Sequence, residues 1–340
     1  MAKKVFLGLD VSKDTLDFSL FYEDQPEKYF DLKVTNDLQG YKRMLNWLKK
    51  LNVDLNQLIF VMEHTGVYTL DFLLFLDQAG LKFALFSGLE IKRSLGLKRG
   101  KNDKVDARRI AYYGFLIRHK LKATEMPCEQ IAKLKQLLTA RLLLVKQRSG
   151  LKNSLKVQQA FNKLTNNQNL EELLVKQIKS LDEAIVTIEK EMKVVVSECV
   201  EIKKNFDLVC SITGVGEVSA YALIVYTNNF SSFVSARQFM SYVGVAPFDD
   251  ESGTYHGKRK VCGLANKRMK ALLHNGVTSA IMHDPETRAY YNRKIEEGKH
   301  KRQVANALAG KLILRIFAVV KRGSPFVALY SQKIIQKKVA

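Results

Sequence analysis

The 340-residue chain has four cysteines, Cys128, Cys199, Cys210 and Cys262, and no two of them form a Cys-x-x-Cys pair. Cysteines this far apart exclude a zinc ribbon and a disulfide framework, and they suit a reducing compartment. No run reaches the ~18 uninterrupted apolar residues of a membrane span. The opening MAKKVFLGLD has too short an apolar stretch for a secretory signal before charge resumes. The expectation is a soluble cytoplasmic protein with no membrane partner. Acidic residues are the other shortage: 34 Asp+Glu stand against 55 Lys+Arg, a formal net charge of +21. That balance argues against an enzyme of small neutral substrates. It argues for a densely anionic partner, whose phosphates release counterions when neutralised. With 46% hydrophobic residues the chain is no disordered basic tail, and its length predicts two or three domains.

What is present divides into three stretches. Residues 5–9 form a short apolar run ending at Asp10, and residues 17–22 and 29–34 read as further strands, separated by turn material with Pro26. Residues 37–50 have helical spacing, with Asn36 as the expected N-cap. Residues 58–62 read as a buried strand ending at Glu63, followed by a helix over 68–78 and a strand over 82–87. This alternation predicts an α/β layer on a mixed sheet. A basic stretch follows: 11 Lys+Arg against two acids over 92–122, its second half helical. From Leu174 onward Ile178, Leu181, Ile185, Ile188, Met192, Val195, Cys199 and Ile202 recur at alternating steps of four and three, a heptad seam. The preceding arm repeats it through Ile131, Leu134, Leu138 and Val145, with Arg141 and Arg148 intruding, and residues 165–169 are the expected turn. The seam closes either an antiparallel hairpin within one chain or a dimer. Residues 206–340 read as mostly helical, with Gly214-Val215-Gly216 between two apolar helical stretches and 12 Lys+Arg against four acids over 257–302. The expected domains are therefore 1–122, 123–205 and 206–340.

Four acids stand where a metal site would be built. Asp10 and Glu63 end strands, and Asp103 and Asp106 share one face of a helix. Carboxylates so clustered repel one another, and a hard divalent cation relieves that repulsion; two such ions clamp the attacking and leaving oxygens of phosphodiester displacement. Each acid taken alone reads equally as a cap or a surface ion-pair partner.

This arrangement resembles the RNase H-like fold of the RuvC resolvase type over about residues 3–120. The segment Lys101-Asn-Asp103-Lys-Val-Asp106-Ala-Arg-Arg-Ile-Ala111 resembles a signature of insertion-sequence family one-ten, the DEDD transposases, which include the Piv-type DNA invertases. Gly214-Val215-Gly216, then Tyr242-Val-Gly244-Val-Ala-Pro247, then Ser252-Gly253-Thr254 are similar to the family's C-terminal motifs, in the same order. One departure is Lys260-Val-Cys-Gly-Leu-Ala-Asn266-Lys267-Arg268, where the family has a Gly-Arg-Ile-Ser-Lys-like segment. It bears on the DNA contacts of this loop rather than on the serine.

The resemblance implies catalysis by Ser252 as nucleophile, forming a covalent phosphoserine on DNA, with Mg2+ (two sites) held by Asp10, Glu63, Asp103 and Asp106. By residue type alone, Ser252 after three acids is first a cap or turn. The resemblance also implies target and donor DNA, a structured guide RNA as partners, and a homodimer or homotetramer at the nucleoid. Nucleic-acid backbone is expected on Arg93, Lys98, Arg99, Lys101, Lys104, Arg108 and Arg109, and on Lys258, Arg259, Lys260, Lys267 and Arg268. The alternatives are a Piv-type site-specific invertase, a junction-resolving nuclease with Ser252 structural, and a non-catalytic nucleic-acid scaffold.

Overall fold

The computed structural model describes residues 5–64, 66–96, 103–165, 167–249, 251–252, 255–257 and 260–328. The remaining residues, including Lys98, Arg99, Lys101, Lys258 and Arg259, lie outside the described set. The chain divides into two compact units, Met1–Met126 and Pro127–Ala340.

The first unit is a five-stranded mixed sheet flanked by helices. Strands β1 (Val5–Val11), β2 (Thr15–Tyr22) and β3 (Gln25–Thr35) form an antiparallel meander, and β4 (Ile59–Glu63) and β5 (Lys82–Phe86) add in parallel beside β1. The order is β3-β2-β1-β4-β5, consistent with an α/β RuvC-like domain. Parallel addition requires crossovers, here α1 (Leu38–Lys50) and α2 (Leu70–Gln78). These helices cover one face, where Leu7, Leu9, Leu16, Phe18, Phe60 and Phe72 are almost completely buried. Each such side chain contributes ~1.5–3 kcal/mol by leaving water.

Two local readings are corrected. The cap of α1 is Asp37, whose carboxylate accepts from the Gly40 amide at 2.7 Å. Asn36 instead ties loops together, donating to the Ser12 and Tyr68 carbonyls. Pro26 lies inside β3 rather than in a turn; β3 is an edge strand, where proline's missing donor is harmless.

α3 (Gly88–Ser94) follows β5, and α4 (Asp103–Leu116) crosses the opposite face of the sheet. Its seat is made by Gly8, where a Cβ would stand 2.1 Å from the Ala111 nitrogen and 2.2 Å from the Ala107 oxygen. Only a residue without Cβ lets the helix backbone rest directly on β1.

The second unit opens with two long helices, α5 (Glu129–Thr165) and α6 (Gln168–Ser197). Arg141 meets Glu189 at 2.7 Å, Arg148 meets Asp182 at 2.5 Å, and Gln159 donates to Glu171 at 2.9 Å. The partners run in opposite directions, so the helices form an antiparallel hairpin within the chain. The two arginines that interrupt the apolar seam are thereby matched by acids on the facing helix. The hairpin's base shares one core with the helices that follow: Ile131, Leu134, Leu138, Met192 and Val195 pack in one cluster with Ile202, Leu223 and Phe239.

The following helices are α7 (Val200–Cys210), α8 (Glu217–Thr227), α9 (Ala236–Tyr242), α10 (Lys267–His283), α11 (Pro285–Glu296) and α12 (Lys301–Arg322). Gly214 and Gly276 interlock the α7–α8 turn with α10, each Cβ position only 2.4 Å from the other's carbonyl oxygen. That assigns the first glycine of the Gly-Val-Gly turn to packing. α12 is long and apolar enough to cross a membrane by length and composition. One stripe of it, Val304, Leu308, Leu312, Ile313, Ile316 and Val319, is buried in the unit's core.

Candidate active site and nucleic-acid interface

Three cross-strand rows lie under α4. Phe6 pairs with Phe21, whose ring meets Tyr29 at 5.3 Å, and Phe115 of α4 packs 5.2 Å from Phe6. Gly8 pairs with Ser19 and Ser19 with Asp31. Asp10 pairs with Asp17 and Asp17 with Lys33. Strand alternation sends Phe6, Gly8 and Asp10 to one face while Leu7 and Leu9 enter the core.

The middle row anchors the helix. Arg108 donates to both oxygens of Asp31 at 3.1 and 2.5 Å, Ser19 donates to it at 2.8 Å, and Lys104 lies 3.1 Å away. Burial alone would raise the Asp31 pKa; these donors more than reverse it and lower the group to about 2.

With α4 seated this way, its N-terminal turn carries Asp103 and Asp106 toward the third row. Glu63 joins from the neighbouring strand, one residue beyond the Leu9–Met62 pairing, and its carboxylate lies over Gly88, where a Cβ would stand 2.0 Å from Oε1. The consequence appears on Asp10. Burial, then the charges of Asp106, Asp103, Asp17 and Glu63, raise its pKa from 3.8 to about 6. All four sequence-predicted acids therefore share one electrostatic site, and Asp17 is a fifth member. Asp17 is buried and held at 3.0 Å by Lys33, which also lies 3.7 Å from Asp103.

Hard oxygen donors whose charges act together on Asp10 fit a divalent cation of the magnesium class in charge and chemistry. Among the described residues, no three of His, Cys, Asp or Glu close around one point. Asp106 is paired with Arg109 at 2.8 Å, and Asp103 lies near Lys33.

Asp17 and Lys33 were missed in the sequence, although a signal was there. Asp17 is a charge between two core residues, Leu16 and Phe18, and Asp31 and Lys33 alternate along β3 in the same manner. The basic residues expected to bind nucleic acid are placed unequally. Arg93 is exposed in the last turn of α3, Lys260 is exposed in a short strand, and Lys267 and Arg268 are exposed in the first turn of α10. Lys104 and Arg108 are engaged by Asp31 and serve first to seat α4, and Arg109 is engaged by Asp106 within the same helix. His64 accepts from the Gly66 amide at 3.1 Å, an ordinary strand-end role.

In the second unit the segment after α9 is clamped at its base. Asn266 donates to the Tyr242 hydroxyl at 2.9 Å, Lys270 to the Gly244 carbonyl at 2.7 Å, and Asn306 to the Val245 carbonyl at 2.8 Å. From this turn β6 (Pro247–Phe248) pairs with β9 (Lys260–Val261), and between them β7 (Glu251–Ser252) pairs with β8 (Tyr255–His256). Ser252 thus belongs to a narrow antiparallel excursion whose first end is fixed by Lys270 of α10 and Asn306 of α12 and whose second end leads into α10. It is not a helix cap: the cap of α10 is Asn266, accepting from Met269 at 3.0 Å.

Residues 7–161 match the family model for the DEDD domain of IS110, described as a transposase, and residues 206–292 match the model described as the transposase of the IS116/IS110/IS902 family. The chain belongs to the IS110 family of transposases. The first match spans the sheet, α4 and most of α5, and the second runs from α7 into α11. Membership places the chain among DNA-recombining enzymes. The pilin gene-inverting protein of Moraxella bovis is 25% identical over 95% of this chain and 98% of that relative. The insertion element IS110 uncharacterized 43.6 kDa protein of Streptomyces coelicolor is 33% identical over 34% of this chain and 28% of its own length. The insertion element IS900 uncharacterized 42 kDa protein of Mycobacterium paratuberculosis is 25% identical over 44% and 36%.

Proposed function

We propose that the chain recombines insertion-sequence DNA through a covalent phosphoserine, guided by a structured RNA. The observation that supports this reading is that Asp10, on β1, feels the charges of Asp106, Asp103, Asp17 and Glu63 in addition to its burial, which together raise its pKa to about 6. The Ser252 hydroxyl attacks a DNA phosphorus, the phosphorus bond to one bridging oxygen breaks, and the displaced strand leaves with that oxygen as a hydroxyl. Reversal onto a second strand rejoins the DNA and frees the serine. Asp10, Glu63, Asp103 and Asp106 would hold Mg2+, which supplies charge stabilisation at the scissile phosphate. Sequence choice is delegated to base pairing by the RNA, leaving the protein to hold backbone. Three functional segments, 1–122, 123–205 and 206–340, supply acids, assembly and serine. Exposed apolar residues on the hairpin, Val157, Phe161, Leu164 and Leu173, support a homodimer or homotetramer.

Ser252→Ala is expected to abolish both strand exchange and the protein–DNA adduct detected on denaturing gels. Recombination by the alanine variant sinks the serine chemistry and leaves a nuclease using the acids alone. A second reading, site-specific inversion, is favoured by the full-length match to a pilin gene-inverting protein. Inversion by protein alone, with no RNA added, decides for it.

A further inference from the structure

A cleft of about 1,180 Å3 opens in the second unit between α9, the Val245–Pro247 turn, α10 and the α11–α12 corner. It exceeds the ~300–1,000 Å3 of a small-molecule site. Among the described residues six cations line it, Arg237, Lys270, Lys294, Lys299, Arg302 and Lys311, against one acid, Asp249. Lys270 is committed to the Gly244 carbonyl and Lys294 to Glu297, so they build the wall. Arg237, Lys299, Arg302 and Lys311 are exposed, and Lys311 stands 3.7 Å over the ring of Tyr290. Along α12 the lining includes Ala307 and Gly310, which leave depth for a ligand.

We propose that this cleft holds the sugar-phosphate backbone of the DNA strand that Ser252 attacks, as a single strand a few nucleotides long. Three observations agree. The excess of positive charge over negative selects a polyanion rather than a zwitterion or a neutral ligand. The volume takes a few nucleotides of one strand and not a turn of duplex, which is ~34 Å long. The rim includes Pro247 of β6 and Val261 of β9, the two strands that begin and end the excursion carrying Ser252. A strand lying in the cleft therefore passes the base of the serine's own hairpin.

The assignment rests on the proposed serine chemistry, and the test separates the two. Fluorescence anisotropy of a labelled single-stranded DNA of about ten nucleotides is followed against salt with the full chain. The cleft variant combines Arg237→Gln, Lys299→Gln and Arg302→Gln. A control variant with the same charge change combines Lys176→Gln, Lys179→Gln and Lys190→Gln, exposed positions on α6. The cleft variant is expected to bind at least ~10-fold more weakly and to lower the salt slope by about 2, at ~0.7 per single-strand phosphate contact. The control is expected to change affinity by less than ~3-fold. Equal losses in both variants, or none in the cleft variant, overturn the inference even where the wild-type chain still forms a serine adduct. A loss confined to duplex DNA or to RNA overturns the single-strand assignment. A wild-type chain that binds no DNA and forms no adduct overturns the proposed function with it.

Discussion

Replacing Gly8 by alanine places a methyl carbon 2.1 Å from the Ala111 nitrogen and 2.2 Å from the Ala107 oxygen. Both are backbone atoms inside α4, so neither can swing aside as a side chain does. Non-bonded atoms rest ~3.5–4.0 Å apart, so α4 must lift from β1 by more than ~1 Å, or β1 must bend. Overpacking of this kind costs ~1–3 kcal/mol, which the first unit survives while melting several degrees lower. The effect on chemistry is larger. α4 carries Asp103 and Asp106 while β1 carries Asp10, and a shift of ~1 Å at a reacting centre costs ~100-fold in rate. Adduct formation by Gly8→Ala is therefore expected to fall about 100-fold with the circular dichroism of a folded protein retained. Gly114→Ala is the internal control, because its Cβ would meet only a side-chain methyl of Val61, at 3.0 Å. The reasoning is refuted if Gly8→Ala melts and reacts as the wild type does, or if Gly114→Ala is the more damaging change.

Asp10→Asn should inactivate the protein and stabilise it. With its pKa raised to about 6, folded Asp10 holds its proton more tightly than the unfolded chain does, so stability falls as pH rises from about 4 through about 6. Asparagine removes that penalty, a gain of about 1–3 kcal/mol at pH 7 and none below pH 4. Urea unfolding in a chelator measures it, and a destabilised Asp10→Asn at pH 7 would contradict the crowding of the acids. Asp31 has the opposite sign. Burial works against its ionisation, but Arg108, Ser19 and Lys104 lower its pKa to about 2, so its contribution is complete above about pH 4 and disappears as pH falls toward 2. Asp31→Asn is expected to cost about 1–2 kcal/mol at pH 7, allowing for the part-exposed Arg108, with the difference from wild type closing near pH 2. A pH-independent difference would show that the Arg108 pair does not titrate with folding.

The sheet was legible because each strand carries its own signal. VFLGLD, DFSLFY and LIFVM are apolar runs bounded by polar turns, and their order predicts a mixed layer. All four acids were legible as strand-end or helix-face positions. The rows were not, because register is a property of pairs: Asp17 becomes part of the site only when β2 is known to place it opposite Asp10, and Lys33 only through Asp17. Gly8 is likewise mute in one dimension; nothing local in VFLGLD says that a helix a hundred residues later will rest on it. Pro26 and Asn36 were misread for a related reason. Their local preferences suit a turn and a cap, and the edge position of β3 and the reach of Asn36 to Ser12 and Tyr68 took precedence.

The same limit applies to charge. Over 92–122 the composition is 11 Lys+Arg to two acids, which reads as a phosphate-binding surface. Yet Arg108 and Lys104 are answered by Asp31 on β3, and Arg109 by Asp106 in its own helix. The opposing acid for two of these three lies about seventy residues away in sequence, where no local count includes it. Counting acids in space instead of along the chain separates the two basic regions. Around α4, cations are paired and hold the helix so that Asp103 and Asp106 reach Asp10. Among the described residues lining the cleft of the second unit six cations face one acid; Lys270 and Lys294 are engaged by the Gly244 carbonyl and Glu297, and the other four are exposed. Unpaired positive charge is what releases counterions on meeting a phosphate backbone. The net charge of +21 is therefore a poor guide to where DNA binds near the acids and a better one beside the hairpin of Ser252.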